Sequence, residues 1–483
     1  MTTGLSPLSV VPARAQSAAE PADDAEIPAA ADDAAPPATA PDGAAKSGEE
    51  KSPAPAPASP ALTPPPKPAE ASAPAISSPA PATTAAPAAA PAAATPLVDI
   101  AGYVQGEYQS HADSEEQLRQ GGGLLNQDRF LVRRARLVLK RAWEFSSLEV
   151  ELDGNSTSGP AFGLYRAEAS LFYRGPNEAS KPPVLQLTVG AFKLPFGFEL
   201  PESSSQRWFA ERTQLSRALW PSEIDVGARL SGSLSAFRYA LAVTNGEPLG
   251  EKSGFQLQDP NANKDVTLNV GVKASPVEGF EISGGVSALT GKGFHAGTGL
   301  TKAVVGWRDI NENGLIDSGE LVGAAAQAET PSKNFERFAI GADLELTLKT
   351  ALGASMLYGE FIAAKNLDRG FFVADPIAAP QVDLRELGFY VGFLQNITQY
   401  AVVGVRGEYY DPNADSSEPR AGRVVPLKNT VKVVSPIAGL TLPNRARLLF
   451  QYDFIRDHLG RNSAGVPVDL KNDAWTVRLQ VNL

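Results

Sequence analysis

The residues best suited to chemistry are oxygen donors in one short run. Asp309–Glu320 reads DINENGLIDSGE and satisfies the spacing of an EF-hand-type calcium loop at every position. Asp309, Asn311 and Asn313 offer side-chain oxygens, Leu315 its carbonyl, Asp317 a direct or water-mediated contact and Glu320 a bidentate carboxylate. Gly314 allows the sharp turn and Ile316 sits where such loops carry an apolar anchor. A polar turn rich in Asp, Asn and Gly is the plainer reading. No helical pattern flanks the run, so the expected role is structural: calcium stiffening a long loop over 290–334.

Covalent chemistry has little to work with. The chain has no cysteine and three separated histidines, His111, His295 and His458, which excludes thiol catalysis, thiolate metal sites and paired-histidine zinc helices. Phosphate-loop, dinucleotide and serine-hydrolase motifs are missing, so the expectation is a protein that is not an enzyme. The net charge of −11 argues against nucleic acid as a partner.

A second group of residues is suited to guiding ions. In 129–141, alternation that points Leu131, Ala135, Leu137 and Leu139 to one side points Arg134, Arg136 and Lys140 to the other. Three cations in one row can attract an anion, Arg through its planar fork. Glu149, Glu151 and Asp153 of the next segment point the same way, and a salt-bridge ladder is the competing outcome. Arg229 is a further candidate. Between Lys193 and Ser222 alternation stops, bounded by Pro195, Pro201 and Pro221. A loop so long and so aromatic must pack against something. It is expected to fold inside a barrel as a constriction, with Lys193, Arg207, Arg212 and Arg217 either facing the eyelet or anchoring the loop to wall carboxylates.

The elements that position these residues follow from period-2 alternation. In 474–483, Trp475, Val477, Leu479 and Val481 share one face, and Thr476, Arg478, Gln480 and Asn482 the other. Sixteen segments read this way, near 98–109, 129–141, 147–153, 163–174, 185–191, 226–233, 236–244, 266–273, 280–289, 337–348, 352–363, 385–394, 401–410, 430–442, 445–455 and 474–483. Each has the length of a tilted spanning strand. Residues 97–483 contain no run of 18 apolar residues, so a membrane can be crossed only by a closed barrel. A mean hydropathy of −0.15 suits a wall in which alternate residues face lipid. Charges such as Glu149, Arg166, Lys273 and Asp343 fit a wet lumen, and Tyr165, Tyr173 and Trp475 an aromatic girdle. The expected fold is all-β: a closed antiparallel transmembrane barrel of 16 strands.

The first 96 residues hold 21 of the 40 prolines and no aromatic residue, a composition that cannot bury a core. Residues 16–96 read as a disordered Pro/Ala-rich linker in the periplasm. Residues 1–15 end in Ala13-Arg14-Ala15, with the look of a signal-peptidase site, and are expected to be the remnant of a truncated signal peptide.

Several stretches together resemble the phosphate-selective porin O/P family. They are the run from Arg129 to Leu137 with Trp143 to Gly154, Val189–Glu199 (VGAFKLPFGFE), Phe209–Thr213, Asp225–Arg229 and Tyr239–Gly246, in the family's order. The resemblance spans about 97–483 and implies an outer-membrane porin, usually a homotrimer, with an inward-folded loop and basic residues selecting small anions. The chain departs from the pattern in its acidic body, in lacking a compact lysine cluster and in ending on Leu483. The leading expectation is a passive channel for small hydrophilic solutes, with outer-membrane lipid around it and an anion or phosphate preference. The alternatives are an adhesion or anchoring barrel with a plugged lumen, and a secreted soluble β-protein that binds calcium.

Overall fold

The computed structural model describes residues 98–483 apart from 119–122, 176–180, 250–257, 379–381, 421, 428, 444 and 463–465. The expectations for 1–15 and 16–96 lie outside these residues.

The wall begins with β1 (Asp99–His111), β2 (Arg129–Ala142), β3 (Ser146–Asn155), β4 (Ala161–Tyr173) and β5 (Leu185–Lys193). The helix α1 (Gln214–Leu219) then precedes β6 (Ile224–Leu234), β7 (Phe237–Thr244), β8 (Asp265–Val277) and β9 (Phe280–His295). A ribbon of β10 (Val304–Trp307) and β11 (Leu321–Ala324) leads to β12 (Lys333–Thr350), β13 (Gly353–Lys365), β14 (Arg385–Ile397) and β15 (Ala401–Asp411). A ribbon of β16 (Ser417–Arg420) and β17 (Arg423–Pro426) is followed by β18 (Val431–Leu442) and β19 (Ala446–Asp457). The two-residue strands β20 (Gly460–Arg461) and β21 (Pro467–Val468) form a third ribbon before β22 (Ala474–Asn482).

Sixteen of these strands close an antiparallel barrel in the order β1 to β9, β12 to β15, β18, β19, β22. The last strand pairs with the first, Tyr103 opposite Asn482, so no edge is left with unpaired backbone groups. Each of the sixteen alternating segments is one of these strands. Among the described residues no helix is long and apolar enough to cross a membrane. Both strand termini, Asp99 and Asn482, lie at the end with the short connections (143–145, 235–236, 278–279, 351–352), and the long loops lie at the other.

The alternation sorts side chains as its physics requires. On β12, Phe338, Ile340 and Leu344 are each more than two-fifths exposed on the outer face, while Arg337 and Asp343 are buried inside. Aromatics collect near the ends of the apolar belt: Trp143, Phe145, Tyr173 and Tyr400 at the turn end, and the Tyr108 ring 4.6 Å from Phe130 and 5.0 Å from Trp475 at the loop end.

Among the described residues three irregularities interrupt the ladder, one of them at the end of the β8–β9 pair between Ala274 and Val277. In the β1–β2 pair, Arg134 stands opposite Gln105 and Val132 opposite Gly106, so Arg133 is the extra residue. Phe130 and Val132 consequently face outward and Leu131 inward, which corrects the outward placement expected for Leu131. In the β3–β4 pair Tyr165 is the extra residue. It is buried against the Arg136 guanidinium, 4.3 Å from the ring centre, and is no part of the girdle expected from its position in the sequence.

Candidate functional site: the loop across the lumen

The segment 194–223 leaves the wall at Pro195 and folds across the interior. Gly197, at φ 61°, turns the chain inward; a Cβ there would collide with the Glu360 carboxylate of β13. Thr213 caps α1 by accepting from the Ser216 amide, and Glu199 accepts from both the amide and hydroxyl of Thr213. The loop then reaches the wall on several sides. The Gly197 amide donates to Ser287 of β9 at 2.9 Å, the Ala210 amide to Gln451 of β19 at 2.7 Å, and the Gln214 amide to Glu408 of β15 at 2.8 Å. Ser204 meets the Tyr103 hydroxyl of β1. Phe196, Leu200, Leu215, Leu219 and Trp220 form an apolar cluster with Leu289, Ala339 and Ile362 inside the barrel. Burying such side chains stabilises the fold by about 1.5–3 kcal/mol each, which holds the loop where it is.

The cations singled out in the sequence fall into two groups. Arg134 and Arg136 are buried and ion-paired: Arg134 with Glu211 at 2.8 Å, Arg136 with Glu151 at 3.3 Å and Asp153 at 3.0 Å. The β2–β3 register sets Lys140 opposite Glu149 and Arg136 opposite Asp153, which makes the charges of these strands a ladder. Lys193 lies 3.6 Å from Glu223, Arg207 3.4 Å from Glu202, and Arg212 3.3 Å from Glu223 while donating to the carbonyls of Trp220 and Pro221. Arg217 lies in the last turn of α1. Arg134, Arg136, Lys193, Arg207 and Arg212 tie the loop or the wall together. Lys140 and Arg229 instead border open space, each with a carboxylate partner, Glu149 at 3.3 Å and Glu168 at 3.4 Å.

Sequence reading missed the residues that fasten the loop most firmly. Glu211 accepts from Arg133 at 2.9 Å and Arg478 at 2.8 Å as well as from Arg134. Arg406 of β15 pairs with Glu199 at 3.2 Å and Glu408 at 2.8 Å and lies over the Phe209 ring. The phase of β15 and β22 already places Arg406 and Arg478 inside. Nothing in the sequence says that the loop would deliver Glu211 to the bulge at Arg133.

A second inward segment supports the first. After Asn366, the amides of Arg369 and Gly370 donate to the Ala218 carbonyl at the end of α1. Asp368 accepts from the amides of Gly370, Phe371 and Phe372 and from the Tyr410 hydroxyl. Burial pushes its carboxyl up to about 7 in spite of those hydrogen bonds.

At the turn end of β2–β6 the wall borders a cavity of about 140 Å³. Lys140, Arg166, Arg174 and Arg229 line it together with Glu149 and Glu168.

The DINENG segment forms the tip of the β10–β11 ribbon. Asp309 accepts from the amides of Asn313 and Gly314, with Gly314 at φ 71°. Asp317 accepts from the side-chain amides of Asn311 and Asn313, and these hydrogen bonds hold its carboxyl below the usual range. Glu320 accepts from the amides of Asp317 and Ile310 and from the Trp307 indole, and is likewise held low, chiefly by the Asp317 amide. The Leu315 amide donates to Asn313. Among the described residues no three carboxylate or imidazole groups stand together as a preformed metal site.

No family model and no curated protein matches the chain. Among solved structures it is similar to the outer membrane channel DcaP of Acinetobacter baumannii, at 9% identity over 80% of this chain and 97% of that one, TM-score 0.47. It is also similar to OprB of Pseudomonas putida, at 12% identity over 80% and 93%, TM-score 0.47. The trimer form of Vibrio cholerae OmpT aligns at 10% identity over 80% and 99%, TM-score 0.45. Likeness of this degree carries no functional argument; the chain's own residues must carry it.

Proposed function

We propose that this chain is a bacterial outer-membrane diffusion channel for small hydrophilic solutes, with a preference for anions. The observation that carries the reading is the division of one closed wall into an apolar outer face and a charged inner face, narrowed by a loop held inside. Such a face is covered by lipid, and a charged lumen is hydrated. Solutes are then sorted by size and by the lining charges, without covalent chemistry. Lys140 and Arg229, which border open space at the turn end, and the family resemblance support the anion preference. The family resemblance adds a homotrimer and a periplasmic position for the N-terminal linker; crosslinking in detergent tests the first and protease accessibility in intact cells the second. Reconstitution into planar bilayers tests the channel itself. Discrete conductance steps, with a reversal potential in a KCl gradient on the chloride side, are expected. A protein that stays monodisperse without detergent defeats the membrane reading.

The dense fastening of 194–223 favours a second reading, an anchoring barrel with a plugged lumen. It predicts heat-modifiable, detergent-soluble barrels that insert yet do not conduct.

We also propose that calcium binds the Asp309–Glu320 tip. The donor set, all oxygen and partly anionic, suits a hard cation. Asn311 and Asn313 now present NH2 groups to Asp317, and a half-turn of each exposed amide would present oxygens instead. Asp309, Asp317, Glu320 and the Leu315 carbonyl would complete the shell.

A further inference from the structure

We propose that Asn313 is a self-modification site, where the Gly314 amide nitrogen attacks the Asn313 carboxamide, ammonia leaves and a carboxylate results. The inference goes beyond the channel reading and depends on neither conduction nor calcium.

The groups that such a reaction needs stand together at the tip of the β10–β11 ribbon. The nucleophile is the Gly314 nitrogen, which has no side chain beside it; a Cβ at 314 would stand in open space. Its hydrogen points at Asp309 Oδ2, 2.7 Å away, so a carboxylate is within reach of the proton that must leave. The electrophile is the Asn313 side-chain carbonyl. Its Oδ1 accepts from the Leu315 amide at 2.7 Å, a donor placed where negative charge gathers once the carbonyl is attacked. Asn313 Nδ2 donates to Asp317 Oδ2 at 2.7 Å, which fixes the other end of the carboxamide. The two reacting groups belong to adjacent residues, so their encounter is intramolecular. Both residues are exposed, and water is at hand for the second step.

In the first step the bond from Gly314 N to Asn313 Cγ forms and the Cγ–Nδ2 bond breaks. The proton from Gly314 passes to Asp309 and through water to the departing nitrogen, which leaves as ammonia and a cyclic imide remains. Water then adds to one of the two imide carbonyls. Release of the nitrogen from Cγ restores the main chain with an aspartate at 313. Release from the other carbonyl routes the main chain through the side chain as isoaspartate. Nothing is oxidised or reduced. Either product adds a negative charge to the exposed tip.

The chain carries its own control, because Asn245-Gly246 is the other Asn-Gly pair in the sequence. The Gly246 amide also donates to a carboxylate, Asp225, at 2.8 Å. Gly246 is buried, however, and its carbonyl accepts from Arg337 at 3.0 Å. A Cβ there would stand 2.8 Å from the Asp265 carboxylate. That peptide is clamped on both sides and shielded from water. Exposure and a polarised carboxamide single out Asn313.

Mass spectrometry of the detergent-solubilised barrel tests this. The protein is incubated at neutral pH with a chelator, which takes calcium out of the question, and then digested. Asn313 is expected to gain the mass that separates a carboxylate from an amide, divided between aspartate and isoaspartate peptides. Asn245 of the same sample is expected to remain an amide until the barrel is unfolded by heat. Asp309→Asn, which keeps the side chain's size and removes the base, is expected to slow conversion by about tenfold or more. Conversion of Asn313 no faster than that of Asn245 overturns the proposal. Unchanged or faster conversion in Asp309→Asn shows that the hydrogen bond to Gly314 merely holds the turn, and overturns the assignment of Asp309 as the base.

Discussion

The Gly370 amide donates to the Ala218 carbonyl at 2.8 Å, joining the end of the lumen helix to the segment that follows β13. The contact is possible because residue 370 has no side chain: a Cβ there would collide with the Arg217 carbonyl oxygen and stand 3.0 Å from the Ala218 Cα. Two inward segments with separate origins on the wall are thereby made one body.

Gly370→Ala is expected to part them. Overpacking at a backbone-to-backbone contact costs about 1–3 kcal/mol, enough to free 366–374 and the end of α1 while the strands stay paired. Single-channel recordings should show added flicker between conductance levels, with the mean conductance raised. A trace like that of the unsubstituted protein would mean that the two segments do not move separately.

Glu211 holds three guanidiniums, from Arg133, Arg134 and Arg478, at 2.8–2.9 Å. Removing one partner of a buried ion pair costs about 3–5 kcal/mol because the remaining charge stays buried; Glu211 is partly exposed, so the lower end applies. Glu211→Gln is expected to loosen the middle of the loop and to leave one more uncancelled positive charge in the lumen. The reversal potential should move further toward chloride. A shift toward potassium, or none, would show that these arginines do not act on permeating ions.

The barrel was legible in the sequence because one physical demand, apolar outside and polar inside, repeats at period 2 through all sixteen strands. The loop was legible because prolines and aromatics replaced that period between Lys193 and Ser222. The bulges were not: Arg133 and Tyr165 each shift the phase by one, and a run such as FLVRRARL satisfies either phase locally. Nor were the loop's partners. Whether Arg212 would meet Glu223 or a solute depends on how the chain crosses the lumen, and no spacing rule in one dimension fixes a crossing. The turn-end cavity was half visible, through Lys140 and Arg229; Arg174 keeps the inward phase of the alternating stretch 163–174, and no further signal marks it.

The segment containing Asp368 should respond to pH. Its carboxyl, near 7 when packed against an ordinary value of 3.8, binds its proton more tightly in the packed state. Packing is therefore fully supported below about pH 4 and weakens as pH rises to about 7, beyond which it levels off. The span is up to about 4 kcal/mol. Glu386 of β14, which accepts from the Leu367 and Asp368 amides, and Tyr410 of β15 face the same carboxyl. Hydrogen exchange at the Gly370, Phe371 and Phe372 amides should speed up between pH 5 and 7 beyond the intrinsic base-catalysed trend. Asp368→Asn, which resembles the protonated acid, should remove the excess. An excess that persists in that variant would assign the pH response to Glu386.

The ribbon tip offers a test that is separate from conduction. Asp317 and Glu320 are held ionised by amide hydrogen bonds, so a cation would meet carboxylates ready to coordinate at neutral pH. Ile310, Leu315 and Ile316 are exposed on the tip, which makes the segment an open target for a protease. Calcium at about millimolar concentration, the range of extracellular sites, is expected to slow cleavage within 300–325, and magnesium, which demands a smaller octahedral shell, to do so far less. Glu320→Gln should weaken the protection by removing the bidentate ligand, and single-channel conductance should be the same with and without calcium because the tip lies beyond the barrel strands. Unchanged cleavage on adding calcium would reduce the DINENG sequence to a turn stabilised by its own hydrogen bonds, with the barrel and its lumen unaffected.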